Sequence, residues 1–109
     1  ELPLHILSKL PKLKVVELAL NQFGGRLSPD WAKMANLKEL VLTDNRLTGT
    51  IPTQFGYFKS LRILRLRGNY GITGHIPTEL MQIRSLTWLD LGRTGVTGEL
   101  PTELDEHMH

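Results

Sequence analysis

The sequence predicts an α/β solenoid whose repeating coils share one parallel sheet, and three observations carry that expectation. A leucine opens a block at Leu13, Leu37, Leu61 and Leu86, at intervals of 24, 24 and 25 residues. Within every block apolar residues return at the same offsets. An asparagine, a glycine and a proline punctuate the remainder in nearly the same places. A fixed period of this size marks stacked repeats, each unable to bury its apolar face alone.

The blocks are 13–36, 37–60, 61–85 and 86–109, and residues 1–12 read as the tail of a preceding unit. The third block carries one extra residue near Tyr70-Gly71. Columns Val16/Leu40/Leu64/Leu89 and Leu18/Leu42/Leu66/Leu91 lie two residues apart, which is the period of a strand with one face inward. Strands are therefore expected at about Val15–Ala19, Glu39–Thr43, Ile63–Arg67 and Trp88–Gly92. Each begins after a full turn of chain in the same direction, so they pair in parallel, about 4.8 Å apart.

Next comes an asparagine column, Asn21, Asn45 and Asn69, with Thr94 in the last block. A carboxamide at a turn bonds backbone groups of its own and the neighbouring coil, so these residues form a structural ladder. Gly25, Gly49, Gly74 and Gly98 follow as turning points, and Pro52, Pro77 and Pro101 stop pairing and preset φ for an outer helical turn. On that turn Trp31/Phe55/Leu80/Leu104 and Met34/Phe58/Ile83 lie three residues apart, as an inward-packed 3-10 or α turn requires.

A length of 109 residues suits one domain at ~100–200 residues each and is too short for two independent cores. With 40% hydrophobic and 22% charged residues, the composition is that of a folded globular chain. Thirteen Lys and Arg against eleven Asp and Glu leave +2, interspersed along the sequence, so no nucleic-acid partner is expected. The absence of cysteine excludes disulfides, thiolate zinc sites and a cysteine nucleophile. No run approaches the ~18–20 apolar residues that span a bilayer, so no membrane insertion is expected of this segment. Glu1-Leu2-Pro3 lacks the basic head of a signal peptide.

The unit L-x-x-L-x-L-x-x-N-x-L-T-G-x-I-P-x-x-[LF]-G-x-[LF] is approached most closely by Leu37–Ser60, where Leu47-Thr48-Gly49-Thr50-Ile51-Pro52 stands complete. On these residues nearly the whole chain resembles the plant-specific class of leucine-rich repeat. The resemblance implies a right-handed superhelix with a concave parallel sheet, short second strands at the L-T-G-x-I-P segments, and 3-10 or short helical turns on the convex side. Similar sequences occur in receptor-kinase ectodomains and in secreted inhibitors of wall-degrading enzymes, which implies a cell-surface or extracellular setting. The first block departs from the pattern, with Phe23-Gly24-Gly25-Arg26-Leu27-Ser28-Pro29 in place of L-T-G-x-I-P, leaving its second strand open. The paired cysteines that commonly close such ectodomains are absent. Glu1-Leu2-Pro3 matches Glu99-Leu100-Pro101 and no polar cap is visible, so the chain is expected to be a piece of a longer solenoid.

No catalytic constellation is legible. His5, His75, His107 and His109 have no partner at a recognisable spacing, and His107-Met108-His109 reads as a tail rather than a metal site. Gly24-Gly25 and Gly92–Gly95 follow the repeat and lack the lysine of a phosphate loop, while Glu79 and Glu103 read as a solvated edge. No cofactor, metal or chemistry is expected.

The variable surface is the outward face of the sheet, with rows Val15/Glu39/Ile63/Trp88, Glu17/Val41/Arg65/Asp90 and Ala19/Thr43/Arg67/Gly92, and Leu20/Asp44/Gly68/Arg93 at the strand exit. Trp88, Ile63 and Val41 among Arg65, Arg67, Arg93, Glu39 and Asp90 have the composition of an interface hot spot. The competing reading of Trp88 is packing on Ile63 or cover for an open edge. Tyr70, beside the inserted residue, is a further contact candidate. Asp44, Arg46, Arg65 and Arg67 are expected to take part in cross-strand ion pairs. The expected function is recognition of a protein or peptide on the concave and lateral face. Two alternatives stand beside it: an assembly module whose open ends pack on further repeats or other chains, and, as a minor one, a water- or ice-ordering hydroxyl array from Thr48/Thr73/Thr97 and Thr53/Thr78/Thr102. No N-x-Ser/Thr sequon is present.

Overall fold

The computed structural model describes Leu4, Lys9, Leu10 and residues 12–98. The expectations placed on residues 1–3 and on His5, Glu99, Pro101, Thr102, Glu103, Leu104 and His107–His109 lie outside them. Among the described residues the chain forms β1 (Val15–Glu17), β2 (Glu39–Val41), β3 (Thr48–Thr50), β4 (Ile63–Arg65), β5 (Gly71–His75), β6 (Trp88–Asp90) and β7 (Gly95–Thr97). Three 3-10 turns, Pro29–Lys33, Thr53–Tyr57 and Thr78–Gln82, separate them. One parallel sheet has the order β1-β2-β4-β6 and the other β3-β5-β7. In the first, Val15, Glu39, Ile63 and Trp88 stand side by side, so the 24-residue period becomes a lateral step of one strand.

Regular pairing covers three residues per strand rather than the expected five. The ladder continues through single bonds, as Leu18 N–H donates to the Val41 carbonyl at 2.9 Å and Leu20 N–H to the Thr43 carbonyl at 3.0 Å. It then turns out of the sheet at Leu20, Asp44, Gly68 and Arg93, whose φ angles are 59°, 57°, 85° and 54°. Only glycine enters this left-handed region without steric cost, and asparagine or aspartate with little. Leu20 gains little from burial in exchange, being 76% exposed. Leu20→Gly is therefore expected to stabilise the protein by about 0.5–1 kcal/mol, since the ~1–2 kcal/mol left-handed penalty exceeds glycine's extra chain entropy. A raised urea midpoint at unchanged slope checks this.

Between the sheets lies a core drawn from every column of the repeat. Leu37, Leu40, Leu42, Leu47, Leu61, Leu64, Leu66 and Ile72 are fully buried, and Trp31, Phe55 and Leu80 fill the space beneath the outer turns. Ser28 caps the first turn by accepting the Asp30 N–H at 3.1 Å, and Pro52 and Pro77 precede the other two in extended conformation. The outer turns approach closely because Gly56 presents no side chain. A Cβ there would lie 2.7 Å from the Glu79 carbonyl oxygen.

The asparagine ladder is present and continuous across three coils. Asn45 Nδ2 donates to the Leu18 and Leu42 carbonyls at 2.8 and 3.0 Å, and its Oδ1 accepts the Asn21 and Phe23 N–H groups. Asn69 Nδ2 donates to the Leu42 and Leu66 carbonyls at 2.9 and 2.8 Å, and its Oδ1 accepts the Leu47 N–H at 3.1 Å. The Asn21 carboxamide is exposed and donates to the Ala19 carbonyl of its own coil. Thr94 has a single O–H, spent on the Leu91 carbonyl of its own coil at 2.7 Å, so the ladder ends at Leu66.

Candidate functional site

The first sheet displays the predicted residues in two lateral rows. Glu39, Ile63 and Trp88 share one, and Val41, Arg65 and Asp90 the next. Trp88 is 41% exposed, and the Arg65 guanidinium carbon lies 5.2 Å from its ring centroid. A cation over an indole at a partly exposed site contributes about 0.5–1 kcal/mol and holds both side chains in one orientation. Trp88 thus stands in register beside Ile63 and under Arg65 while keeping exposed surface for a partner.

Arg67 is drawn to Asp90, not to Asp44. Its Nη1 lies 3.6 Å from Asp90 Oδ1, an oxygen that also accepts the Gly92 N–H at 3.0 Å. The expected cross-strand ion pairs among Asp44, Arg46, Arg65 and Arg67 are therefore corrected: the partner of Arg67 is Asp90. Arg65 is committed to Trp88. The Asp44 carboxylate rests over Gly68, where a Cβ would collide with it. Among the described residues the ion pairs are Arg67–Asp90 and Lys33–Asp30, both partly or largely exposed and worth about 0–1 kcal/mol each. Arg93 projects from the strand exit, and Tyr70, 69% exposed, occupies the turn before β5, outside the sheet.

The second sheet does not line the threonines up. Its register steps two residues per coil relative to the motif, so Thr48 faces Gly71, Thr73 faces Thr50 and Gly95, and Thr97 faces His75. The first coil contributes a lone bridge, Arg26 with Thr48, consistent with its departure from L-T-G-x-I-P. Among the described residues no group of three or more His, Asp or Glu side chains is placed to hold a metal, and no helix is long and apolar enough to cross a membrane.

One feature escaped the sequence reading. The leading rim, where the coils turn into the first sheet, collects Lys12, Lys14, Lys38, Lys59, Arg62 and Arg84. Charges interspersed along the chain become clustered in space, because the period stacks them. The signal was available: segments 10–14, 34–38, 58–62 and 83–87 contain no Asp or Glu.

These stacked coils, with buried columns inside and a variable wall outside, are those of a repeat solenoid. The family profile described as Leucine rich repeat matches residues 35–96, more than half of the chain, and the chain belongs to that family, in its plant type. Receptor-like protein 50 of Arabidopsis thaliana is 41% identical over 81 residues, which is 71% of this chain and 9% of that protein. The chain thus spans under a tenth of that curated relative. Among solved structures, the plant peptide hormone receptor RGFR1 in complex with RGF2 aligns with a TM-score of 0.87 at 35% identity, over 95% of this chain and 16% of the other. A plant ice-binding protein aligns with a TM-score of 0.74 at 26% identity, over 87% of this chain and 37% of the other. The expected leucine-rich-repeat superhelix, with its concave sheet, second strands and 3-10 turns, is the fold observed. Ectodomains of this family are generally non-catalytic binding modules.

Proposed function

We propose that this chain binds a protein or peptide partner across its concave sheet and performs no chemistry, with Trp88 and Arg65 at the centre of the contact. The observation that carries this reading is the Arg65–Trp88 stack beside Ile63, an aromatic and a guanidinium held in place yet partly exposed. Such pairs dominate interface energetics when a partner removes their water. Val41 and Ile63 extend the apolar centre. Glu39, Arg67, Asp90 and Arg93 surround it with both signs of charge, which set approach and register more than strength. Tyr70 marks the lateral limit of the contact. The peptide complex of the RGFR1 neighbour supports the partner class.

A displayed random-peptide library panned against the protein supplies the test. Peptides enriched on the wild-type chain are expected to bind the double variant Trp88→Ala, Arg65→Ala at least tenfold more weakly, as two losses of about 1–2 kcal/mol predict. Equal affinity for both proteins places the contact elsewhere. The assembly reading predicts instead a mass that rises with concentration in the absence of any peptide. A hydroxyl array from Thr48, Thr73 and Thr97 is disfavoured by the staggered register of the second sheet.

A further inference from the structure

We infer that the concave sheet selects an extended peptide with a basic and an acidic side chain two residues apart, and an apolar side chain two residues beyond the acid. This ligand chemistry belongs to the concave face proposed above and rests on that reading. In register, Val15 stands beside Glu39 and Glu17 beside Val41, so two carboxylates occupy one diagonal of a square on β1 and β2 and two valines the other. All four residues are exposed or half-buried. A lysine or arginine fits such a square, with its aliphatic stem on the valines and its charge between the carboxylates. On the next strand the sign changes. Arg65 follows Val41 on β4, its guanidinium over the Trp88 ring and without a carboxylate. Neither ion pair among the described residues involves Arg65, Glu17 or Glu39. A carboxylate brought by a partner is the acceptor that a planar fork of N–H donors takes best.

Strand spacing turns this order into a sequence pattern. The rows cross four strands in the order β1-β2-β4-β6, whereas regular pairing along each strand covers three residues, so an extended chain finds its length across the strands. At about 4.8 Å per strand, the middle of the carboxylate square lies about 7 Å from the backbone position of Arg65 and about 12 Å from that of Trp88. An extended peptide advances about 3.3 Å per residue and turns alternate side chains to one face, which places its third and fifth side chains about 6.6 and about 13 Å beyond its first. The two series agree: a base over Glu17 and Glu39, an acid over Arg65, an apolar group against Trp88. Asp90 does not disturb the series, because Arg67 pairs with it. A uniformly acidic ligand meets Glu17 and Glu39 and a uniformly basic one meets Arg65, so each is repelled at one end.

Sequencing the peptides enriched from the displayed library is the first half of the test. The pattern basic-x-acidic-x-apolar, in either chain direction, is expected at least fivefold above its frequency in the unselected library. One such peptide, and the same peptide with its basic residue replaced by glutamate, are then titrated against wild type and the double variant Glu17→Lys, Glu39→Lys. The replacement is expected to cost at least tenfold on wild type and to improve binding on the variant. Circular dichroism verifies that the variant folds; if it does not, Glu17→Gln, Glu39→Gln takes its place, and the two peptides are expected to differ by less than threefold on it. Enriched peptides that weaken on Trp88→Ala, Arg65→Ala but lack the pattern, or whose glutamate form is equally disfavoured on wild type and variant, overturn the inference and leave the concave-face contact standing. Peptides indifferent to Trp88→Ala, Arg65→Ala, or a library with no enriched binder, overturn both.

Discussion

Replacing Asn69 by Ala is expected to lower stability by about 4 kcal/mol. Asn69 is fully buried, and its carboxamide satisfies the Leu47 N–H and the Leu66 carbonyl while sharing the Leu42 carbonyl with Asn45. Truncation strands a buried donor and a buried acceptor, each costing about 1–3 kcal/mol, whereas the Leu42 carbonyl keeps its bond from Asn45. Asn69→Asp is expected to be no better, since a carboxylate facing two carbonyl oxygens offers them no donor. The control is Asn21→Ala. It removes the same chemical group at an exposed site with one local bond, and is expected to cost less than about 0.5 kcal/mol. Urea unfolding of the three variants checks the series. Equal midpoints for Asn69→Ala and Asn21→Ala would contradict the ladder account.

Phe55→Ala is expected to cost about 3–5 kcal/mol. The ring is fully buried, meets Phe58 edge to face at 5.1 Å between centroids, and belongs to the middle outer turn, which packs against the turns on both sides. A cavity at that level has walls in three coils, and partial collapse of one coil does not fill it. Phe55→Leu, adopting the residue that Leu80 supplies in the next coil, keeps most of the volume and is expected to cost no more than about 1.5 kcal/mol. Thermal melts of the pair resolve the difference, and similar losses for both would show that this level of the core repacks freely. Against a total of about 5–15 kcal/mol for an ordinary domain, either Asn69→Ala or Phe55→Ala removes a large share.

The period, the inward leucines, the ladder and the outer turns were legible because each depends on residue type at a fixed offset. Strand length was not. The expected strands ran to Ala19, Thr43, Arg67 and Gly92, but the next residue of each takes a left-handed φ and bends the chain away. Asp44 and Gly68 signal such a bend, while Leu20 and Arg93 do not. The concave rows were placed correctly, since they follow from alternation alone. Side-chain partners were missed where two acceptable ones competed: Arg67 reaches across to Asp90, whereas Asp44 folds over its glycine neighbour. The leading rim went unread because net charge and linear clustering ignore what a 24-residue step does to separation in space.

Thr94 turns the last described junction into a fault line. Asn45 and Asn69 each rivet a coil to the one before it; here no buried carboxamide does so, and beside main-chain pairing and apolar contact the junction has the Arg67–Asp90 and Arg65–Trp88 pairs and the long hydroxyl bonds of Thr87 and Thr97, all at exposed or partly exposed sites. Quasi-one-dimensional assemblies open at their weakest interface, so breathing should begin between the third and fourth coils. Trp88 lies on one side of that crack and Ile63 and Arg65 on the other. Anything gripping all three would act as a splint, and its capture would be felt as stiffening of that junction.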